Sequence, residues 1–234
     1  MAKEKNEVKV NAEEMLQAGC HFGHRVSVTH PKMKPFIFGS RNAIQIIDLE
    51  KTAPKFEAAL DFIYSLVKEG KVLLLVGTKI QTKQLVAETA RAGSWPYVSE
   101  RWLGGTFTNL EVIRKRIHYL QELEAKKGSP DWEKYTKKER MKMEREMAEL
   151  KKRFGGILAM EKLPEAIFIC DLKHDATAVR EARAKKVPVI GIVDTNIDPD
   201  LADYPIPAND DAISSVRYIL GKVKETALKA KDDQ

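Results

Sequence analysis

Residues 165–194 read "EAIFICDLKHDATAVREARAKKVPVIGIVD". The stretches 165–171 and 187–194 are apolar without alternation, which is the pattern of strands buried on both faces of a parallel sheet. Between them, "ATAVREARAKK" has the length and composition of one crossover helix. Strand, helix, strand at this spacing predicts a βαβ unit.

The pattern repeats on both sides of this unit. "KVLLLVG" (71–77) is another fully apolar strand, and "WPYVS" (95–99) and "DYPIPAN" (203–209) are short ones. Phe56, Leu60, Ile63 and Val67 recur at helical spacing in "APKFEAALDFIYSLVKEG", after Thr52, and Gly70 stops that helix. "QTKQLVAETARAG" predicts a helix ending at Gly93, and "DDAISSVRYILGKVKETALKAK" a closing one, with Asn209 or Asp210 as its cap. Near the start, Asn11 caps a short helix, with Glu14 in the position of a capping box. The stretch that follows runs irregularly past Pro31 and Pro35, and "FIFGSRNAIQIID" (36–48) then predicts a hairpin. The sum is an open parallel α/β sheet with helices on both faces.

Residues 106–156 break the alternation. Leu110, Ile113, Ile117 and Leu120 form one narrow apolar seam, and Met143, Met147, Leu150 and Phe154 form another, with "KKGSPDWEK" as the turn between them. This predicts an inserted antiparallel coiled-coil hairpin. The body is then discontinuous, 1–105 and 157–234, with an arm over 106–156. From Glu111 to Arg153 there are fourteen Lys or Arg and nine Asp or Glu, so the arm carries most of the chain's +6. Such an arm is either a solvated hairpin or one that touches RNA or a partner protein.

Composition excludes several classes. Two cysteines, Cys20 and Cys170, make no disulfide framework and are expected to be reduced thiols. The opening "MAKEKNEVKV" has no apolar region of a signal peptide, and no apolar run approaches a membrane span. A soluble protein is expected.

Cys20, His21 and His24 lack the second ligand pair that a structural zinc site needs. "VGTK" sits where a dinucleotide fingerprint would, but neither G-x-G-x-x-G nor a P-loop is present. "LGGTFTNL" (103–110) offers loop amides that could approach an RNA backbone. The acidic loop "VDTNIDPDLADY" (193–204) fails as an EF-hand, with Pro199 and Pro205 at the Gly and Glu positions, but its carboxylates lie at the ligand-binding edge of an α/β sheet. Cys170 and His174 could pair as nucleophile and base, without a recognisable oxyanion hole. There remains the stretch 21–42. Arg25, Lys32, Lys34 and Arg41 are interleaved there with His21, His24, His30, Phe36 and Phe38, and no acidic residue occurs between Glu14 and Asp48. This predicts a surface of one sign suited to RNA, with one face of the hairpin given to the core.

Four ordered motifs carry a resemblance: "GCHFGHRVSVTHPKMKPFIFGSRNAIQIIDLEKT", "VGTK", "WLGGTFTN" and "VDTNIDP" with "YPIPANDDAISS". Together they resemble the bacterial small-subunit ribosomal proteins that stand second in the conventional numbering, over residues 8 to about 228. The resemblance implies a flavodoxin-like three-layer α/β/α domain with a coiled-coil arm. It implies a structural constituent of the cytoplasmic ribosome, not an enzyme, lying between head and body. The implied partners are small-subunit ribosomal RNA and neighbouring ribosomal proteins, including the large mRNA-capturing one, with no membrane and no small-molecule substrate. The implied RNA-facing residues are His21, Arg25, Lys32, Lys34, Arg41 and Asn42, then Arg101, Trp102, Gly104, Gly105, Thr108 and Asn109, and on the arm Arg114, Lys115 and Arg116. No cofactor is required; a single zinc or magnesium ion at Asp194 and Asp210 is the one metal expectation. Two rival readings stay open: a nucleotide-binding flavodoxin-like enzyme, and an adaptor whose arm binds only protein.

Overall fold

The computed structural model describes residues 8–233; the segment 1–7, where the absence of a signal region was expected, lies outside the described residues. The chain runs α1 (Ala12–Gln17), β1 (Phe22–Arg25), β2 (Ile37–Arg41), β3 (Ile44–Ile47), α2 (Leu49–Lys68), β4 (Leu73–Val76), α3 (Lys83–Gly93) and β5 (Tyr97–Val98). It continues with α4 (Leu110–Lys127), α5 (Lys137–Phe154), β6 (Ala166–Ile169), α6 (Ala176–Ala184), β7 (Val189–Val193), β8 (Tyr204–Pro207) and α7 (Ile213–Asp232). Among the described residues no helix is long and apolar enough to cross a membrane.

The apolar runs become a parallel sheet in the order β5-β4-β6-β7-β8. Renumbered within the sheet this is 2-1-3-4-5, the flavodoxin-like order. Successive strand residues face opposite ways, so each run feeds two cores. Leu73, Leu75, Phe168, Ile190, Ile192 and Ile206 pack under α2, α3 and α7. Leu74, Val76, Ile167, Ile169, Val189 and Val193 pack under α6, Trp102, Phe107 and the roots of α4 and α5.

The second face has one crossover helix of its own, so the arm completes it. Ile113, Ile117 and Phe154 are buried in the same core as the sheet. Farther out, Leu120, Leu123 and Met147 form a separate small cluster flanked by Trp132 and Met143. Two ion pairs bridge the helices, Lys127–Glu144 at 2.9 Å and Lys151–Glu124 at 3.2 Å, and their register makes α4 and α5 antiparallel.

Three local features differ from the sequence expectation. The stretch read as irregular contains β1, which pairs antiparallel with β3 to give a three-stranded sheet β1-β3-β2. "FGHR" hides this because it lacks apolar alternation. Gly23 is there for clearance, since a Cβ would meet the Thr195 side chain at 2.6 Å. Helix α2 starts a turn earlier than Pro54 suggests, because the Asp48 side chain accepts from the Glu50 N–H at 3.1 Å. At α1, Asn11 accepts from the Glu13 N–H at 2.8 Å, a single cap bond in place of the expected box.

The junction of arm and body yields a prediction. A Cβ on Gly156 would meet the Tyr97 carbonyl oxygen at 2.1 Å, whereas one on Gly155 would meet nothing within 4 Å. Gly156→Ala should therefore destabilise the protein by about 1–3 kcal/mol, read as a lower urea midpoint, and Gly155→Ala should leave the midpoint in place. Equal midpoints for the two variants would show that the β5 edge yields freely.

Candidate nucleic-acid interface

The outward face of the antiparallel sheet follows from its register. Residues directly opposite one another share a face. One row is Phe22, Ile46 and Gly39; the next is Arg25, Ile44 and Arg41. The two arginines thus flank Ile44, with Phe22 beside them. A bulge between Ile37 and Gly39 extrudes Phe38, which is 80% exposed. Arg25, Lys34 and Arg41 are exposed, and among the described residues no carboxylate lies within ion-pair reach of them. Asn42 and Ala43, both at positive φ (51° and 62°), make the two-residue turn, and Asn42 is exposed at its tip. The outward face combines cations, an aromatic ring and unpartnered apolar surface, as a base-stacking and phosphate-binding surface requires.

The histidines divide. His21 packs on Phe22 with ring centroids 4.0 Å apart, and burial holds its pKa below the ordinary value. His24 turns inward: Nδ1 lies 3.0 Å from Asp194 and Nε2 3.5 Å from Asp211. The Asp194 hydrogen bond raises its pKa against the effect of burial. The His30 N–H donates to the Thr195 carbonyl at 2.8 Å.

Sequence neighbours prove a poor guide to charge here. Lys32 reaches Asp198 at 2.8 Å and Asp200 at 2.6 Å. The surface of one sign is therefore interrupted in space, and Lys32 is locally neutralised while Arg25, Lys34 and Arg41 are not.

The loop 101–109 differs more. Glu181 of α6, only 7% exposed, accepts from the Trp102 indole N–H (3.2 Å) and the Gly105 N–H (2.8 Å) on one oxygen. Its other oxygen accepts from the Phe107 N–H (2.9 Å), the Thr108 N–H (3.1 Å) and the Thr108 hydroxyl (3.1 Å). Burial pushes this carboxyl up, but the N–H donors of Gly105, Thr108, Phe107 and Trp102 outweigh it and hold the pKa below the ordinary value. The loop is indeed an anion cradle, and the anion is the protein's own. The amides of Gly105 and Thr108 and the buried Trp102 are thereby committed internally. Arg101, Gly104 and Asn109 remain exposed at the foot of the arm, and Arg114, Lys115 and Arg116 are exposed on α4.

At the carboxyl edge the same device recurs. The sheet's switch point lies between β4 and β6. There the Thr78 hydroxyl donates to Asp175 at 2.7 Å, and Asp171 accepts from the Lys173 and His174 N–H groups, both at 2.8 Å. Lys79 enters an acidic cluster, paired with Asp171, with Asp211 at 2.7 Å and Asp210 at 3.2 Å. Burial opposes its charge, but these carboxylates raise its pKa. Asp210 is buried in this cluster, and burial with Asp171 and Asp194 nearby pushes its pKa up to about 7.

This arrangement does not fit a resident divalent ion at Asp194 and Asp210. Asp194 is taken by His24 and Thr195, and Asp210 faces the Lys79 ammonium. Among the described residues no group of three or more His, Cys, Asp or Glu is arranged to hold a metal. The Cys170–His174 pairing also fails: Cys170 is fully buried, with its thiol pKa raised first by burial, while His174 is exposed.

Glu181, Lys79 and Thr195 were missed by sequence reasoning. Glu181 had a signal: it falls among Ala178, Val179 and Ala182 on the buried stripe of α6, where an acid is out of place unless it is satisfied.

The sequence profile of the family described as Ribosomal protein S2 matches residues 15–230. The chain is 46% identical over 224 residues to the small ribosomal subunit protein uS2 of Roseiflexus sp. (strain RS-1), covering 95% of this chain and 85% of that one. It is 45% identical over 222 residues to the protein of the same name from Marinobacter nauticus, covering 95% and 89%. For the one from Dictyoglomus thermophilum the identity is 46% over 220 residues, covering 94% and 89%.

The Glu181 cradle can be tested by pH. Its folded pKa lies below the unfolded value of about 4.3, so its contribution is fully present above that value and is lost as pH falls through the folded one. Glu181→Gln should cost about 1–3 kcal/mol at pH 7, and the gap to wild type should narrow by pH 3.5 in urea unfolding. A gap constant across pH would mean that the carboxylate charge contributes nothing.

Proposed function

Because the chain belongs to the ribosomal protein S2 family, a structural and non-enzymatic component of the small ribosomal subunit, we propose that it binds small-subunit ribosomal RNA through the outward face of its antiparallel sheet. On this reading the protein sits in the cytoplasmic ribosome between head and body. It contacts neighbouring ribosomal proteins and helps to dock the large mRNA-capturing one. Arg101, Asn109 and the α4 cations Arg114, Lys115 and Arg116 extend the contact along the foot of the arm.

The observation that carries this reading is the contrast in charge pairing. Lys79, Lys32 and His24 are held by carboxylates of this chain. Arg25, Lys34 and Arg41 are not, and Arg25 and Arg41 flank exposed Ile44 with Phe22 in the next row. Unpaired cations next to unpartnered rings suit a phosphate backbone with splayed bases. The rival nucleotide-binding reading needs free donors at the switch point, where Asp171 and Asp175 already take them.

Two measurements test the proposal. On a sucrose gradient the protein should migrate with the small subunit at moderate salt and be weakened in that association at high salt. Arg25→Glu with Lys34→Glu should weaken binding to small-subunit RNA and lower the salt slope by about 2. An unchanged slope removes the sheet face from the interface.

A further inference from the structure

Apart from half-buried Arg140, the cations of α5 fall into two groups. In the half nearer the body, Lys151 pairs with Glu124 at 3.2 Å, Lys152 with Glu100 at 3.9 Å and Arg153 with Glu149 at 3.5 Å. In the distal half, Lys137, Lys138, Lys142 and Arg145 are exposed, and no acid of the described residues reaches them. The acids of that half are turned away. Glu139 closes the Thr136 capping box, Glu144 pairs with Lys127, and Glu146 lies against Tyr119.

Lys138, Met141, Lys142 and Arg145 follow the i, i+3, i+4, i+7 spacing of one helix face, and Lys137 joins them around a shared hollow. Met143, Met147 and Leu150 face α4 instead. The cationic stripe is roughly 12 Å long at the rise of an α-helix. Two of its lysines sit in the first turn, at the positive end of the helix dipole, where cations are disfavoured unless an anion is present.

We infer that this stripe is a second RNA-binding surface, on a different element from the sheet face, which takes consecutive phosphates of a ribosomal RNA strand. The inference rests on the RNA-binding reading above and adds to it a grip by the arm. A linear row of cations matches a repeating charge. The cores of protein–protein interfaces are depleted in lysine, whereas three of the four cations here are lysine. The contact carries no sequence preference, because it reaches phosphate and not base edges.

The test uses the full chain with Lys137, Lys138, Lys142 and Arg145 all changed to alanine, which favours the helix. An unchanged thermal melt verifies folding. Binding to a small-subunit ribosomal RNA transcript is measured across a salt series, beside wild type, the Arg25→Glu/Lys34→Glu variant, and a control with the exposed body cations Lys55, Arg91, Lys185 and Lys224 changed to alanine. The expected result is weaker binding with the slope reduced by about 3, and a smaller change in the control. An equal loss in the control overturns the inference, because net charge alone then explains it. An unchanged slope in the arm variant while the sheet variant loses slope overturns the arm grip and leaves the RNA-binding reading standing. If the arm variant keeps its RNA slope but drops out of assembled small subunits, the stripe meets an acidic protein segment, and the inference again fails. Unchanged slopes in both variants sink the RNA reading itself.

Discussion

The buried carboxylate of Glu181 is the interaction on which the attachment of the arm depends. Five donors from residues 102–108 converge on its two oxygens. That loop leads directly into α4, and its Trp102 and Phe107 rings, 5.1 Å apart, seal the second face of the sheet. Loops with free amides usually wait for an outside anion. Here the anion comes from the chain's own crossover helix, so the loop's donors are satisfied without any partner. The direction of the arm is set by the same clasp, since Ile113 and Ile117 enter the core one to two turns after it.

The same solution recurs around the sheet. Asp175 takes the Thr78 hydroxyl, Asp171 takes the amides of the next turn, and Asp194 takes His24 and Thr195. Each position is one where a nucleotide-binding relative of this architecture would keep donors free. With the donors at the switch point taken, the unpaired cations lie on faces outside it. Such a molecule is suited to being held by something larger, not to turning over a small ligand.

Much of the body was legible in the sequence because its strands are buried on both faces and so are apolar at every position, as in "LLLV" and "VIGIV". The arm seams were legible for the matching reason, an apolar residue every three or four positions. β1 was not, since "FGHR" is chosen for clearance against Thr195 and for the His24–Asp194 bond, both set by residues far along the chain. The charge pattern misled in the same way. A 33-residue gap between acids says nothing about Asp198 and Asp200 folding back onto Lys32. Pairing across the fold is a property of contacts, and a one-dimensional count of charges cannot contain it. The exposed cations were legible as types but not as a surface. Which of them stayed unpaired depended on where each carboxylate went.

The docking of β1 has a consequence for how the chain is made. The His24 N–H donates to the Thr195 hydroxyl 171 residues away, and the Asn209 N–H to the Cys20 carbonyl. Helix α2 packs on α7, and Thr52 donates to the Pro207 carbonyl at 2.7 Å. The amino-terminal quarter therefore lacks these contacts until the last strands and helix emerge. For the 171 residues that separate His24 from Thr195, about 5–20 residues per second means a wait of roughly 9–34 s. During that interval the strands bearing Arg25 and Arg41 have each other and β3 as partners but not the Thr195 hydroxyl on which β1 docks, so the cationic face is synthesised long before it is fixed to the body.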